Sequence, residues 1–270
     1  MKYLITGSNG QLAREFIKKL ENENIFSFDL DKLDITNEKD VREAIEAIKP
    51  DILINCAAYN NVDKAEIEYE KAYRVNALSL KNFAIFCEKY KTKIIHFSTD
   101  FVFPGRLEKT PYTENDMPSP INKYGKSKLE GERILSANYE NYSIFRVSWL
   151  YGEGTQNFPY KLRVWAKDRK QLKIADDEIS VPTPTKFVAQ TALKALDLNG
   201  IWHLCCDGFA SRYEWALEIA KKDKLSVEIL PAKQNDFSLP AKRPCFSAMS
   251  SIKLSEKLGI KFPNWKEFYE

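Results

Sequence analysis

The sequence predicts an α/β protein: a doubly wound parallel sheet with a smaller, interleaved C-terminal lobe. Three observations predict it. Short apolar runs alternate with longer stretches whose apolar residues recur every three to four positions, the β-α-β rhythm of a parallel sheet covered on both faces. The first apolar run leads through a glycine-containing turn straight into a helical stripe. Beyond about residue 150 the alternation weakens, and helices and a Pro-rich loop ("LPAKRPC", 239–245) take over.

"KYLIT" (2–6) reads as a buried strand, and "GQLAREFIKKLE" (10–21), apolar at 12, 13, 16, 17 and 20, as a helix. "IFSF" (25–28) is the second strand, and "NEKDVREAIEAIK" (37–49) is a helix ended by Pro50. "DILINCAA" (51–58) is the third strand. A long helical stretch follows, from about Asp63 to Tyr90 with a break near Tyr73. "KIIHFST" (93–99) and "YSIFRVS" (142–148) are the fourth and fifth strands, and "QLKIA" (171–175) the sixth. "TPTKFVAQTALKALDL" (183–198) is a helix, "GIWHLCC" (200–206) a strand, and "SRYEWALEIAKK" (211–222) a helix with Ser211 as N-cap. The sheet domain is expected at 1–148 plus about 171–199, and the lobe at about 149–170 plus 200–270.

Composition narrows the function classes. With 44% apolar and 29% charged residues, the 270-residue chain is ordinary globular material. A net charge of +3 is too small to point to nucleic acid, and "KDRKQLK" (167–173) reads as a solvated face. No apolar run approaches the ~18 residues of a membrane span, and the N-terminus lacks the pattern of a signal peptide. Five cysteines without CxxC spacing read as free thiols in a reducing cytoplasm. His96 and His203 are the only imidazoles. Neither has zinc-site neighbours, and a Ser-His-Asp triad is improbable with so few.

The first turn reads Gly7-x-x-Gly10-x-x-Ala13 between a strand and a helix. Glycines there let backbone N–H groups approach a pyrophosphate at the helix N-terminus, and a small third residue allows helix–strand packing. This is the Rossmann-type arrangement. Asp29 ends the second strand, 22 residues after Gly7, where an acid holds the adenosine ribose of a dinucleotide. Asp29 would repel a 2′-phosphate and so favours NADH. Lys32, close enough to neutralise such a phosphate, admits NADPH.

"INKYGKSKLEGE" (121–132) is a helix carrying two glycines, Gly125 and Gly131, each costing about 1 kcal/mol relative to alanine. Tyr124 and Lys128 share one face, four residues apart. With 13 tyrosines and 31 lysines, chance alone supplies such a pair. Its position is what carries weight: it follows a strand ending in "FSTD" (97–100), which puts Ser98, Thr99 and Asp100 at the carboxyl end, where ligands bind in open α/β sheets. A hydroxyl, a phenol and an ammonium then converge on one carbonyl. A ketone that accepts hydride must be protonated, and a phenol is a poor donor at neutral pH unless its pKa is lowered. Gly125 is expected to leave room where cofactor or backbone packs close, and Gly131 to let the helix lie tight on a neighbour.

"TGSNGQLA", "INCAAYNNVDKAE", "VNA", "STDFVF", "YGKSKLEGE", "SWLYG" and "AKRPCFSAMSSIKLSEKLGI" together resemble, nearly end to end, the extended short-chain dehydrogenase/reductases. Within them the chain is similar to the dTDP-4-dehydrorhamnose reductases. The resemblance implies NAD(P)H-dependent reduction of a 4-keto nucleotide sugar to dTDP-L-rhamnose, with Thr99, Tyr124 and Lys128 as the catalytic set. It implies Gly7, Gly10, Gln11 and Leu12 at the pyrophosphate, Asp29 at the ribose, Asp34 and Ile35 beside the adenine, and Ala57, Ala58, Tyr59 and Ser98 along the cofactor cleft. Tyr124 and Lys128 reach the cofactor too. Asp100 and Trp149 would touch the sugar, and Arg243 the diphosphate. Asp34 also reads as the residue before a helix capped by Thr36 or Asn37, Trp149 as a core aromatic and Asp100 as a turn residue. Asn76 reads as a structural polar group. A homodimer is compatible with the resemblance.

The sequence departs from the family's pattern at Phe101, where the family usually has Tyr, and at Met249-Ser250, where many members have Leu-Asp. Some members bind Mg²⁺ through glutamates. Glu15 matches one, but Lys186 stands where another acid is expected, so no such metal site is predicted. Two other readings stay open: another nucleotide-sugar ketoreductase or epimerase of this fold, and a non-catalytic cofactor-binding regulatory subunit.

Overall fold

A computed structural model describes residues 1–269. β1 (Lys2–Thr6) is buried from its second residue on, because it lies inside the sheet. Gly10 leads into α1 (Gln11–Lys19), which lays Leu12, Ala13 and Phe16 on the sheet. β2 (Asn24–Phe28) is the sheet's edge. α2 (Glu38–Ile48) starts at Asn37, whose side chain accepts the Lys39 N–H. It ends with Lys49 in the left-handed region just before Pro50. β3 (Ile52–Asn55) is fully buried.

The long helical stretch after β3 is broken twice. α3 (Val62–Ala65) and α4 (Tyr69–Tyr73) are short. A single π-helical turn at Arg74–Leu78 carries the buried Asn76 into α5 (Ser79–Glu88). The expected break near Tyr73 is this turn, the kind of irregularity that collects near functional sites.

β4 (Lys93–Thr99) is buried throughout. α6 (Lys123–Asn138) is capped by Asn122, whose side chain accepts the Gly125 N–H. It lies unusually close to its neighbours. A Cβ at Gly125 would collide with the Phe101 carbonyl oxygen, and one at Gly131 with the Asn76 carbonyl oxygen. β5 (Tyr142–Val147) follows. Side chains alternate across each strand: Tyr3, Ile5, Ile52, Ile54 and Ile95 face the layer that holds α1, while Leu4, Leu53, Ile94 and Ile144 face α2 and α5.

The remaining elements are β6 (Leu150–Tyr151), α7 (Phe158–Asp168), β7 (Gln171–Ala175), β8 (Ile179–Ser180), β9 (Thr183–Pro184), α8 (Thr185–Lys194), β10 (Gly200–His203), β11 (Ala210–Ser211), α9 (Arg212–Asp223), β12 (Glu228–Ala232) and α10 (Ile252–Leu258). Ser211 caps α9 in a reciprocal box with Glu214. α8 packs Val188, Ala189 and Ala192 into the same layer as α1.

The main sheet has the order β10-β5-β4-β3-β1-β2, and every pair is parallel. Here the strand expectation is corrected. Gln171–Ala175 is not the sixth strand; it pairs with β12 in a two-stranded ribbon of the lobe. Its pattern gives the reason: Gln171 and Lys173 are exposed while Leu172 and Ile174 are buried, so one face is wet and the other rests on the lobe. The sixth strand is Gly200–His203, expected in the lobe, which returns to pair with β5. The chain therefore changes layer at different points from the expected 171 and 200. The lobe has its own core around Trp149, Trp215, Phe246 and Trp265.

Candidate active site

The turn between β1 and α1 is shaped for close approach. Gly7 has φ +67°, and a Cβ there would lie 2.7 Å from the Ala57 nitrogen. Gly10 donates to Gly7 O at 2.9 Å. It caps α1 without any side-chain hydrogen bond, so the first N–H groups of the helix are left for an anion. Leu12 is buried under the sheet and offers only backbone to the turn. The Gln11 side chain reaches the lobe, donating to Leu150 O at 3.2 Å and accepting from Asn157 at 3.3 Å.

Asp29 accepts the Asn9 N–H and its following N–H from Leu30, both at 2.8 Å, so it fixes the glycine turn from outside. Asp34 accepts the Thr36 N–H at 2.9 Å and the Thr36 hydroxyl at 2.8 Å, closing a turn ahead of the helix that Asn37 caps. Ile35 is core. Ala57, Ala58 and Tyr59 leave β3 in an extended path. Asn76 pins it by accepting the Tyr59 N–H and donating to the Tyr59 carbonyl, both at 2.9 Å, and by donating to Ser127. An uncapped helix start and a glycine turn at the sheet's carboxyl edge, with a carboxylate at the end of β2, fit a dinucleotide.

Beside this edge lies a cleft of about 870 Å³ whose lining includes Gln11, Thr99, Asp100, Tyr124, Trp149 and Arg243. Tyr124 is half-buried in the cleft wall, and desolvation pushes its phenol up to about 12. The Thr99 hydroxyl opposes that shift and Asp100 adds to it. In the chain alone the phenol is therefore harder to ionise, opposite to the lowering a phenolic proton donor needs, because no cation among the described residues offsets the burial. Phe101 stands edge-on to the Tyr124 ring, with centroids 6.0 Å apart.

Lys128 is not at the cleft surface. Its Nζ donates to the Phe97 carbonyl at 2.6 Å and lies 3.3 Å from His96 Nε2. Burial lowers its pKa to about 8 against the opposing charge of Glu132. Ser98 lines the cleft, and its hydroxyl donates to Glu132 Oε1. Glu132 in turn holds Arg146 of β5, with Nη2 at 2.7 Å and Nε at 3.0 Å. This buried pair fastens α6 to the sheet.

Asp100 is buried and accepts three hydroxyls: Thr99 at 3.1 Å, Ser180 at 2.7 Å and Ser247 at 2.6 Å. Burial outweighs these bonds and raises its pKa to about 6. Trp149 combines its two expected readings. Its ring stacks on Trp215 at 5.5 Å in the lobe core, takes the Arg212 guanidinium at 3.6 Å, and lines the cleft. Its backbone has φ +39°, a costly conformation for a bulky residue. Arg243 lines the cleft but is engaged by Asp63, Nη1 to Oδ1 at 3.0 Å and Nη2 to Oδ2 at 2.6 Å.

Sequence reading missed Arg212, half-buried in the cleft wall and 3.4 Å from Glu178. It also missed Asn55 and His96, which lie behind Lys128. Nothing in their spacing marks them: Asn55 ends β3, His96 is its register partner in the middle of β4, and Arg212 opens α9. Among the described residues, no group of three His, Cys, Asp or Glu side chains is arranged to hold a metal ion.

Comparison with known proteins agrees with the motif resemblance. Residues 1–269 match the family described as the RmlD substrate binding domain. The dTDP-4-dehydrorhamnose reductase of Escherichia coli K12 is 32% identical, covering 98% of this chain and 95% of its own. A Clostridium acetobutylicum dTDP-4-dehydrorhamnose reductase structure is 39% identical with TM-score 0.95, covering 99% of this chain and 96% of its own. The Bacillus anthracis dTDP-4-dehydrorhamnose reductase, solved in complex with NADP, is 34% identical with TM-score 0.95 over the same shares. With its fold matched along almost the whole length, this chain belongs to the RmlD substrate-binding-domain family.

Proposed function

We propose that the chain reduces the 4-keto group of a dTDP-linked deoxysugar, taking dTDP-4-dehydro-β-L-rhamnose to dTDP-β-L-rhamnose with NADH or NADPH. The observation that carries this reading is one cleft holding Thr99, Asp100, Tyr124 and Trp149 in a chain whose full-length relatives include several named as dTDP-4-dehydrorhamnose reductases.

Gly7, Gly10 and the N–H groups opening α1 hold the pyrophosphate, and Asp29 the ribose. The bound reduced nicotinamide supplies the hydride. Tyr124 gives its phenolic proton to the substrate oxygen as charge develops there. Thr99 orients that oxygen and the phenol together. Lys128 supports the phenolate and restores its proton. Asp100 and Trp149 hold the sugar, and Arg243 the diphosphate.

Asp29 favours NADH by charge, and the NADP of the B. anthracis relative supports NADPH as an alternative. The reaction belongs in the cytoplasm, as the five free thiols suggest. No described helix is long and apolar enough to cross a membrane. The test is a panel of 4-keto nucleotide sugars with cofactor absorbance followed for NADH and NADPH in turn. Turnover of the dTDP sugar is expected. Turnover of a UDP- or GDP-sugar in its place would reject the substrate.

A further inference from the structure

His96 lies in a hydrogen-bond chain whose directions can be read from its fixed end. The Ala57 N–H can only donate, and it meets Asn55 Oδ1 at 3.2 Å, with the Thr6 hydroxyl on the same oxygen at 2.7 Å. That orients the Asn55 amide and places its Nδ2 3.1 Å from His96 Nδ1. An amide nitrogen donates and does not accept, so His96 Nδ1 is the acceptor and carries no proton. Burial first, and the Lys128 charge second, hold His96 well below its ordinary pKa. The ring is neutral, and its one proton sits on Nε2. Nε2 is 3.3 Å from Lys128 Nζ, which already donates to Phe97 O at 2.6 Å. An ammonium there sets donor against donor; an amine accepts the Nε2–H into its lone pair.

We propose that His96 is a positioning residue for proton supply: its Nε2–H favours the amine form of Lys128, so that the Lys128 ammonium readily releases a proton to the Tyr124 phenolate. This rests on the ketoreductase reading. The Tyr124 O–H bond breaks as the substrate O–H bond forms. The phenolate then takes a proton from Lys128, which is left as an amine, and solvent returns that proton. Glu132 on α6, shared with Arg146 and Ser98, faces Lys128 and favours its ammonium, while the Cys56 thiol after β3, held protonated by burial, adds no charge. His96 from β4, together with burial, opposes Glu132. His96 itself faces Lys128 and the uncharged Asn55.

The tautomer is tested on the cofactor-free wild-type chain, which has two histidines. His203 places Nδ1 3.1 Å from the Tyr112 carbonyl and Nε2 3.4 Å from Arg146 Nη1, so its proton is on Nδ1. Long-range ¹H–¹⁵N spectra should show one Nε2–H ring and one Nδ1–H ring, and His96→Phe should remove the first. Two Nδ1–H rings would overturn the proposal.

In turnover, His96→Phe should move the alkaline limb of kcat up by about one pH unit as Lys128 loses the opposing donor. A uniform fall in kcat with the limb unmoved would leave His96 a structural role only and overturn the proposal. If His96→Phe fails to fold, His96→Gln, which can turn its oxygen toward Lys128, carries the same expectation. If no 4-keto nucleotide sugar is turned over, the ketoreductase reading fails by itself. The Lys128 titration, followed by ¹³Cε NMR in both chains, then decides: a higher midpoint in the variant supports His96's effect, and an equal one overturns it.

Discussion

The Ser247 hydroxyl donates to Asp100 Oδ2 at 2.6 Å, and the Ser180 hydroxyl reaches the same oxygen at 2.7 Å. One buried carboxylate thus joins the carboxyl end of β4 to two segments of the lobe. Burial still raises its pKa to about 6. A carboxyl whose folded pKa lies above its unfolded value binds more protons when folded, so its contribution to stability falls as pH rises from about 4 to about 6. Asp100→Asn removes that titration. The stability of the wild type relative to Asp100→Asn should therefore improve by about 2–3 kcal/mol between pH 7 and pH 4. Urea unfolding of both chains at the two pH values measures it. A constant difference would mean that Asp100 titrates as it does in the unfolded chain.

Tyr124 and Thr99 meet at the cleft floor, and the phenol stands at about 12 without cofactor. Tyr124→Phe keeps the ring that Phe101 packs against and removes only the hydroxyl. It should lower kcat by about 10²–10⁴-fold, with NADH affinity changed little by direct titration. Thr99→Val should cost about 10²-fold. Retained activity in cells with Tyr124→Phe would turn the reading toward a cofactor-binding regulatory subunit.

Gly125 and Gly131 make a prediction contrary to helix propensity. Alanine at an exposed helix position would stabilise by about 1 kcal/mol. Here each Cβ meets a backbone carbonyl oxygen, that of Phe101 or Asn76, which cannot move as a side-chain end can. Gly125→Ala and Gly131→Ala should each destabilise by about 1–3 kcal/mol, read from urea midpoints. Because Phe101 follows Thr99 and Asp100, Gly125→Ala should also lower turnover beyond what its stability loss explains. A stabilised Gly125→Ala chain with full activity would remove this account.

Much of the fold was legible because strands buried on both faces and amphipathic helices leave different periods in the sequence. The two exchanged strands show the limit. "QLKIA" and "GIWH" are equally short, and only pairing partners distant in sequence decide which joins β5. Local signals found the glycine turn, the Ser211 cap and the Tyr124 helix. They did not find Glu132–Arg146 or Asn55–His96–Lys128, whose members lie 14, 41 and 32 residues apart. Such networks are set by strand register and by which helix lies over the sheet, a tertiary fact. Ser98 was assigned to the cofactor from its place at a strand end, while its hydroxyl serves Glu132.

Arg243 offers the sharpest test of how the substrate side is held. Asp63 bonds both terminal guanidinium nitrogens and also accepts the Ala241 N–H at 3.2 Å. It thereby fixes the loop as well as the side chain. Burial works against the Asp63 charge, but Arg243 and the Ala241 N–H together hold its carboxyl below its ordinary range. The pair therefore stays ionised across neutral pH. If Arg243 serves the diphosphate, Asp63→Asn should raise the KM for the nucleotide sugar about tenfold, the worth of one charge-assisted hydrogen bond. It should leave kcat within about twofold, and the cofactor's KM should not move. Arg243→Ala should raise the same KM at least as far. A lower KM in Asp63→Asn would instead mean that the substrate competes with Asp63 for the guanidinium, so that the ion pair must open for binding.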